Sequence, residues 1–139
     1  MSSRAVREVD EGKLTVKPTI ALYPTPEQIA ALLSEVDDKP VVMVNLLRFK
    51  ASGEDDYRRY ADKMVPFVES KGGRVIWLGR LNSQVIGEGG DSFQMVGLVE
   101  YPSRKVFVEI ATDPYVQEIG EFRAAGLEGQ WLLATTTED

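Results

Sequence analysis

Cysteine and histidine are both missing from this chain of 139 residues. Without cysteine the protein can form neither a disulfide bond nor a catalytic thiolate, and we expect it in the reducing cytoplasm. Without histidine it lacks the commonest general base, the commonest ligand of transition metals and the usual proximal ligand of haem. Any chemistry must come from carboxylates, tyrosine, lysine, arginine, serine, threonine or a bound cofactor. We predict that neither a metal ion nor a cofactor takes part.

Long apolar runs and an excess of positive charge are missing too. No stretch approaches the roughly 18 apolar residues of a membrane span, and the opening MSSRAVREVDEGK lacks the apolar core of a secretory signal. The net charge of −6 disfavours binding to nucleic acid or to an anionic membrane, so neither is an expected partner. The length suits one globular domain, predicted over residues 21–139, after a flexible arm over residues 1–20.

The strongest structural signal is the run VVMVNLLRFK, which covers Val41–Lys50. Its β-branched and aromatic residues favour a strand, and the Ala-Ser-Gly that follows ends it. Side chains alternate across a strand, so Asn45 shares one face with Met43 and Leu47, whereas Arg48 lies on the opposite face. A polar group buried without partners costs roughly 2–7 kcal/mol. Each of the two polar side chains is therefore hydrogen-bonded or placed at the rim of a cavity.

Helix caps and hydrophobic periodicity predict a helix, then β-α-β, an extended piece, and β-α-β. The predicted helices cover 26–36, 54–71, 104–111 and 115–125, the further strands cover 74–81, 93–101 and 130–137, and the extended piece covers 84–88. Without the first helix this is the ferredoxin-like βαββαβ plan of the α+β class. Its helices cover one face of an antiparallel sheet, and the open face predicts a homodimer joined through it.

Several short motifs follow one another in an order that is familiar as a set. They are VVMVNLLRFK, the pair Tyr57 and Tyr60, IWLG at 76–79, LVEYPSRKVF at 98–107, DPY at 113–115 and FRAAGLEGQWLLATT at 122–136. Over about residues 24–137 the chain resembles the family named domain of unknown function 1330. The resemblance implies a dimeric α+β barrel, in which two ferredoxin-like units pack sheet to sheet around a cavity.

The same superfamily includes small cofactor-free monooxygenases, muconolactone-type isomerases and haem enzymes, so the resemblance implies a range of reactions and selects none. A haem enzyme is disfavoured because the chain has no axial histidine. The family pattern often has histidine before arginine where this chain has Phe122-Arg123. Any step that depends on that histidine would be missing here.

One group of polar residues is a candidate pocket: Asn45, Arg48, Tyr57, Tyr60 and Arg123. Arg48 or Arg123 would hold a carboxylate or enolate through bidentate hydrogen bonds. Asn45 and a tyrosine hydroxyl would stabilise developing negative charge. The alternative is a satisfied polar network that joins the strand to the helices. Tyr57 and Tyr60 lie three residues apart on one helix face, where they would equally serve as core packing.

Glu100 and the two tryptophans are further candidates. Glu100 is a carboxylate in an apolar strand, so it could pair with Arg48. If it were buried without that partner, its pKa would rise and it could act as a base. Trp77 and Trp131 would line an aromatic ligand cavity or be buried at the dimer interface.

Arg104 is a candidate of a different kind. Ser103 before it is expected to cap the following helix, which needs no functional explanation. A positive charge at a helix start opposes the helix dipole. We therefore expect Arg104 to contact an acidic partner or an anionic ligand.

The leading hypothesis is a cavity that binds a small aromatic or carboxylated molecule. In its enzymatic form the protein is a cofactor-independent oxygenase, isomerase or lyase that acts through an enolate. Arg123 and Asn45 would hold the anion, and Tyr60 or Glu100 would transfer the proton. The alternatives are a non-catalytic dimer that binds small molecules or responds to stress, and a structural module whose polar residues only fix the packing.

Overall fold

The computed structural model of the chain describes residues 6–10, 13–35 and 37–138. Its helices are α1 (Pro26–Leu33), α2 (Glu54–Ser70), α3 (Arg104–Ala111) and α4 (Pro114–Gly126). Its strands are β1 (Val6–Asp10), β2 (Lys13–Lys17), β3 (Val41–Phe49), β4 (Arg74–Arg80), β5 (Met95–Tyr101) and β6 (Leu127–Thr135). No helix within these described ranges is long and apolar enough to cross a membrane.

The four-stranded sheet has the order β4-β5-β3-β6, with every neighbouring pair antiparallel. The β3 strand is central, as its long apolar run predicted. This is the ferredoxin-like α+β arrangement expected from the order of elements. The first helix ends at Leu33, and the predicted end at residue 36 lies outside the described residues.

The segment before α1 contains a hairpin that was not predicted from the sequence. The β1 and β2 strands pair antiparallel in a sheet of their own. The mobility expected for residues 1–20 remains a prediction, and residues 1–5, 11 and 12 lie outside the described part of the chain. The piece over 84–88, predicted to continue as extended chain, belongs to a loop that bends at residues 86–88.

The sheet has one covered face and one open face. On the helix-covered face, Val41, Met43 and Leu47 are at most 2% exposed. Val41 and Met43 pack with residues of α2 and α3 such as Val68 and Ile110. The alternate residues of β3 point to the opposite face. Helices α1 to α4 pack on the covered face, whereas the short 3-10 helix Gly90–Ser92 meets the opposite face, where Arg48 donates to the Ser92 carbonyl.

A bulge in β4 changes which residues share a face. Regular alternation would place Val75, Trp77 and Gly79 on one side of the strand. Instead, the register with β5 shifts between Val75 and Trp77. Val75 pairs with Val99 on the covered face, whereas Trp77 pairs with Leu98 on the open face, where it is 60% exposed. The extra residue of a bulge reverses the alternation that follows it.

Helices α2 and α4 meet backbone to backbone at two glycines. A Cβ atom on Gly126 would lie 2.5 Å from the carbonyl oxygen of Gly53 and 2.8 Å from the backbone nitrogen of Tyr57. The carbonyl of Gly126 accepts a hydrogen bond of 2.9 Å from the backbone of Lys50. This close approach fixes the start of α2, and with it Tyr57, against the end of α4.

Candidate functional site

A chain of polar side chains runs from α4 through β6 to the centre of β3. An Arg123 guanidinium nitrogen donates to the Gln130 side-chain oxygen at 2.8 Å, and the Gln130 amide donates to Asn45 Oδ1 at 3.1 Å. The Asn45 amide in turn donates to the carbonyl oxygens of Gly97 at 3.3 Å and Met43 at 3.5 Å. The oxygen and the nitrogen of the Asn45 side-chain amide are thus both hydrogen-bonded. Asn45 therefore orients Gln130, and Gln130 in turn orients Arg123.

Arg123 keeps unused hydrogen-bonding capacity. Its guanidinium lies over the ring of Tyr23, 5.6 Å from the centroid. Within the described part of the chain, no carboxylate lies within 4 Å of it. Guanidinium has five N–H donors in a planar fork, which matches the two oxygens of a carboxylate. Arg123 therefore carries a positive charge, partly exposed, that the described residues do not neutralise.

The segment before α1 brings Tyr23 to this position. Ala21 forms an isolated bridge with Gln130, whose backbone nitrogen donates to the Ala21 oxygen at 2.9 Å. The indole nitrogen of Trp131 donates to the Thr19 oxygen at 2.8 Å. These contacts hold the segment along the free edge of β6, so Tyr23 covers Arg123 from outside.

Three tyrosines form the rest of the cluster. The Tyr57 and Tyr60 rings lie 5.5 Å apart on α2, and Tyr57 packs edge-on against Phe49 at 5.5 Å. Tyr101 of β5 is 6% exposed and lies close enough to interact electrostatically with both. Among the described residues, no side chain or carbonyl accepts a hydrogen bond from any of the three hydroxyls.

The electrostatics of the cluster keep these hydroxyls protonated. Burial raises the pKa of Tyr57, Tyr60 and Tyr101 above the ordinary value of a tyrosine. The Arg123 charge acts in the opposite direction on the pKa of Tyr57 and Tyr60, with a smaller effect than burial. At neutral pH the three side chains are therefore hydrogen-bond donors and not bases.

Two predicted site residues lie on the other face of the sheet. Arg48 Nε donates to a Glu128 carboxylate oxygen at 2.8 Å, and its terminal nitrogen donates to the Ser92 carbonyl at 2.9 Å. The predicted pair of Arg48 with Glu100 is absent, since Glu100 pairs with Arg74 at 3.0 Å. The side chains of Arg48 and Glu100 both point to the face of the sheet opposite to that of Asn45. The structure therefore brings neither Arg48 nor Glu100 to the cluster.

The tryptophans do not line one cavity within a single chain. Trp77 lies on β4 and Trp131 on β6, the two edges of the sheet. Three strand spacings separate these edges, about 14 Å. Trp131 packs against Phe93, with centroids 5.2 Å apart.

Arg104 has the acidic partner expected for it. Its guanidinium lies 3.4 Å from the Glu35 carboxylate and donates to the Leu32 carbonyl at 3.3 Å. The Ser103 side chain caps α3 by accepting from the backbone of Val106, as predicted. Arg104 thus holds the end of α1 against the start of α3.

Three residues of the cluster were not predicted as site residues: Gln130, Tyr101 and Tyr23. Gln130 is a polar residue in an apolar strand, the same signal that drew attention to Asn45. Tyr101 could have been found from its interior-facing place at the end of β5. The role of Tyr23 depends on the path of the chain before α1, which no periodicity reveals. Within the described ranges, no group of acidic residues is arranged to hold a metal ion.

Comparison with known proteins gives a family and a fold. A family model described as "Domain of unknown function (DUF1330)" matches residues 45–137, more than half of the chain. No protein with a curated description matches the sequence.

Solved structures have the same architecture. RPA0582, a protein of unknown function from Rhodopseudomonas palustris, is 29% identical; the match covers 87% of this chain and 99% of that chain, with a TM-score of 0.78. SnoaB, a cofactor-independent oxygenase from Streptomyces nogalater, is 11% identical over 73% of this chain and 95% of its own, with a TM-score of 0.54. At3g17210 from Arabidopsis thaliana is 17% identical over 71% of this chain and 96% of its own, with a TM-score of 0.57.

Proposed function

The chain belongs to the DUF1330 family, and from that membership and the geometry of the polar cluster we propose that it binds a small organic anion at Arg123. The anion would be a carboxylate, phenolate or enolate. One observation carries the proposal: the Arg123 charge has no carboxylate partner among the described residues, and the protonated Tyr57 and Tyr60 lie close enough to be affected by that charge. Hydroxyls that have no acceptor among the described residues are free to donate to a ligand that brings oxygen atoms.

The cluster is suited to stabilising negative charge. Donors that are already oriented lower the free energy of an enolate more than water does, since they need not reorganise as the charge develops. Gln130 and Asn45 hold the guanidinium in one orientation. A cofactor-independent oxygenase, isomerase or lyase that acts through an enolate would use such donors. SnoaB, which shares this fold, is named as a cofactor-independent oxygenase, and that name supports the oxygenase version.

The same geometry limits the substrate. Glu100 lies on the opposite face, and the raised pKa of Tyr60 keeps its hydroxyl protonated at neutral pH, so that it can donate a hydrogen bond but cannot act as a base. The substrate must therefore ionise readily by itself or arrive as an anion. The alternative proposal is a non-catalytic binding protein, and the lack of a side chain that could act as general base in the described cluster favours it.

Binding of small carboxylates tests the proposal. Benzoate, salicylate and phenylacetate are titrated by calorimetry against the protein and its Arg123→Met variant. A charge-assisted, bidentate contact contributes about 1.5–3 kcal/mol, so loss of the guanidinium should weaken binding roughly 10- to 100-fold. Arg59→Met is the matched control, because it removes an exposed arginine of α2 and changes the net charge equally. Equal weakening by both substitutions would contradict a specific anion site.

Tyr60→Phe separates the enzyme from the binding protein. The substitution removes one donor and keeps the ring that packs on Tyr57. If a carboxylate ligand that binds is also turned over, loss of turnover with little change in affinity identifies Tyr60 as a donor to the reacting anion. If a ligand binds tightly and is recovered unchanged under air, the non-catalytic proposal stands.

We also propose a homodimer joined through the open face of the sheet. Trp77 is 60% exposed and Leu133 is 47% exposed on this face, beside apolar residues of β3 such as Val44 and Leu46. A continuous apolar surface of this kind usually contacts a partner. Light scattering should give twice the monomer mass, and Leu133→Glu should lower it. Leu33→Glu is the control, as Leu33 is 40% exposed on α1 in the helical layer. A stable monomer at micromolar concentration would contradict the dimer.

A further inference from the structure

A cavity of about 580 Å³ lies at the end of β4, against side chains that point away from Arg123. Its floor is made by Phe93 and Trp131, whose ring centroids lie 5.2 Å apart, with Leu46 beside them. Phe93 is only 5% exposed, so the floor is fixed in the core. The volume lies within the range of about 300–1,000 Å³ that is usual for sites of small molecules.

The loop that forms the cavity wall is held in shape by one side chain. The Gln84 side-chain oxygen accepts from the backbone nitrogen of Gly90 at 2.7 Å, and its amide donates to the Ile86 carbonyl. The backbone nitrogen of Leu81 donates to the Gln94 carbonyl at 2.9 Å, which closes the loop at its base. The wall is thus built by the chain itself and does not need a ligand to order it.

The charged groups of the wall are predominantly negative. Glu88 and Asp91 line the cavity, and neither has an ion-pair partner within 4 Å among the described residues. Arg80 is the one cationic residue of the lining, and it donates to both carboxylate oxygens of Glu54, at 2.9 and 3.1 Å. Glu54, which Arg58 shares, offsets part of this charge. The two acids outnumber the single cation of the lining, so the charge above the aromatic floor is negative on balance.

We propose that this cavity binds a small aromatic amine, with its ring on Phe93 and Trp131 and its ammonium group directed to Glu88 and Asp91. Aromatic faces attract both a stacked ring and a nearby cation, and an unpaired carboxylate adds attraction for the same cation. The site is separate from the anion site at Arg123, because the sheet lies between the two, and their charge preferences are opposite.

Three probes with the same ring test the proposal: 2-phenylethylamine, 2-phenylethanol and 3-phenylpropionate. The chain has two tryptophans, so Trp77→Phe leaves Trp131 as the fluorescent reporter of the cavity floor. We expect the amine to bind most tightly, the alcohol less tightly and the carboxylate least at this reporter. Glu88→Gln with Asp91→Asn should weaken the amine roughly 3- to 20-fold, more at low salt than at high salt, and leave the alcohol unchanged.

Two controls keep the outcomes distinct. Glu69→Gln with Glu109→Gln removes the same charge from exposed positions on α2 and α3, and it should leave amine binding unchanged. Any carboxylate binding at Arg123 should survive Glu88→Gln with Asp91→Asn, whereas amine binding at the cavity should weaken. Equal affinity for the amine and the carboxylate at the Trp131 reporter would overturn the proposal. So would failure of the amine to bind, including the case in which a second copy of the chain fills the cavity.

Discussion

Replacing Gly126 by alanine tests the helix contact that positions the tyrosine cluster. The new Cβ would lie 2.5 Å from the Gly53 oxygen and 2.8 Å from the Tyr57 nitrogen, and side-chain Cβ atoms do not come so close to other atoms. Both obstructing atoms belong to backbone, so no side-chain rotation can relieve the overlap. The start of α2 and the end of α4 must move apart, and Tyr57 would move with α2.

The expected loss of stability follows from two opposing effects. Overpacking of a filled interior typically costs about 1–3 kcal/mol. Replacing glycine by alanine within a helix returns about 0.5–1 kcal/mol, because the unfolded chain loses freedom. Since the overlap is with backbone, the net loss should be about 1–2 kcal/mol. For a chain of this length that corresponds to a fall in Tm of roughly 3–10 °C.

Gly120→Ala is the matched control, since Gly120 lies on the same helix and its added Cβ would meet nothing within 4 Å. It should therefore raise the Tm by roughly 2–5 °C. Calorimetric or circular-dichroism melting of both variants, with urea unfolding as a second measure, gives the comparison. The reasoning is refuted if Gly126→Ala is as stable as the parent protein or if both substitutions change stability in the same direction.

Two further predictions concern pH. Burial raises the pKa of Tyr57, Tyr60 and Tyr101, so their contribution to stability is complete below about pH 10, the ordinary value, and is lost as the pH rises through their folded values. Tyrosinate absorbance should show a late phase coupled to unfolding, and a Tyr→Phe variant that left this phase intact would contradict the assignment. A hydrogen bond from Arg80 lowers the pKa of Glu54, so this contribution is present above about pH 4.5 and is lost as the pH falls through the lowered value. Stability should fall less steeply with acid in Arg80→Met, and an unchanged acid profile would argue against the pair.

The elements of the sheet and helices were predictable because their signals are local. The β3 run and the Ser103 cap depend on neighbours a few residues away, and both are found as expected. The β4 bulge was not predictable, since its cause lies in the pairing with β5. One extra residue at Ile76 therefore left Val75 and Trp77 on opposite faces.

The site was only partly predictable for the same physical reason. Alternation along β3 correctly separated Asn45 from Arg48. It could not tell which face the helices would cover, and so Arg48 and Arg123 were assigned to one predicted pocket. The partner of Arg48 is Glu128, which is 80 positions away in the sequence. No local sequence pattern indicates a contact between residues so far apart.

The two proposed binding sites are coupled through one strand. Gln130 and Trp131 are consecutive residues of β6, so the strand sends one to each face of the sheet. Gln130 pairs with Leu47 and orients Arg123 on the covered face, while Trp131 pairs with Leu46 and forms the cavity floor on the open face. A slip of one residue in this register would exchange the two side chains and remove both sites at once. The backbone bridge between Gln130 and Ala21 opposes such a slip, so a weaker bridge should impair anion binding and amine binding together.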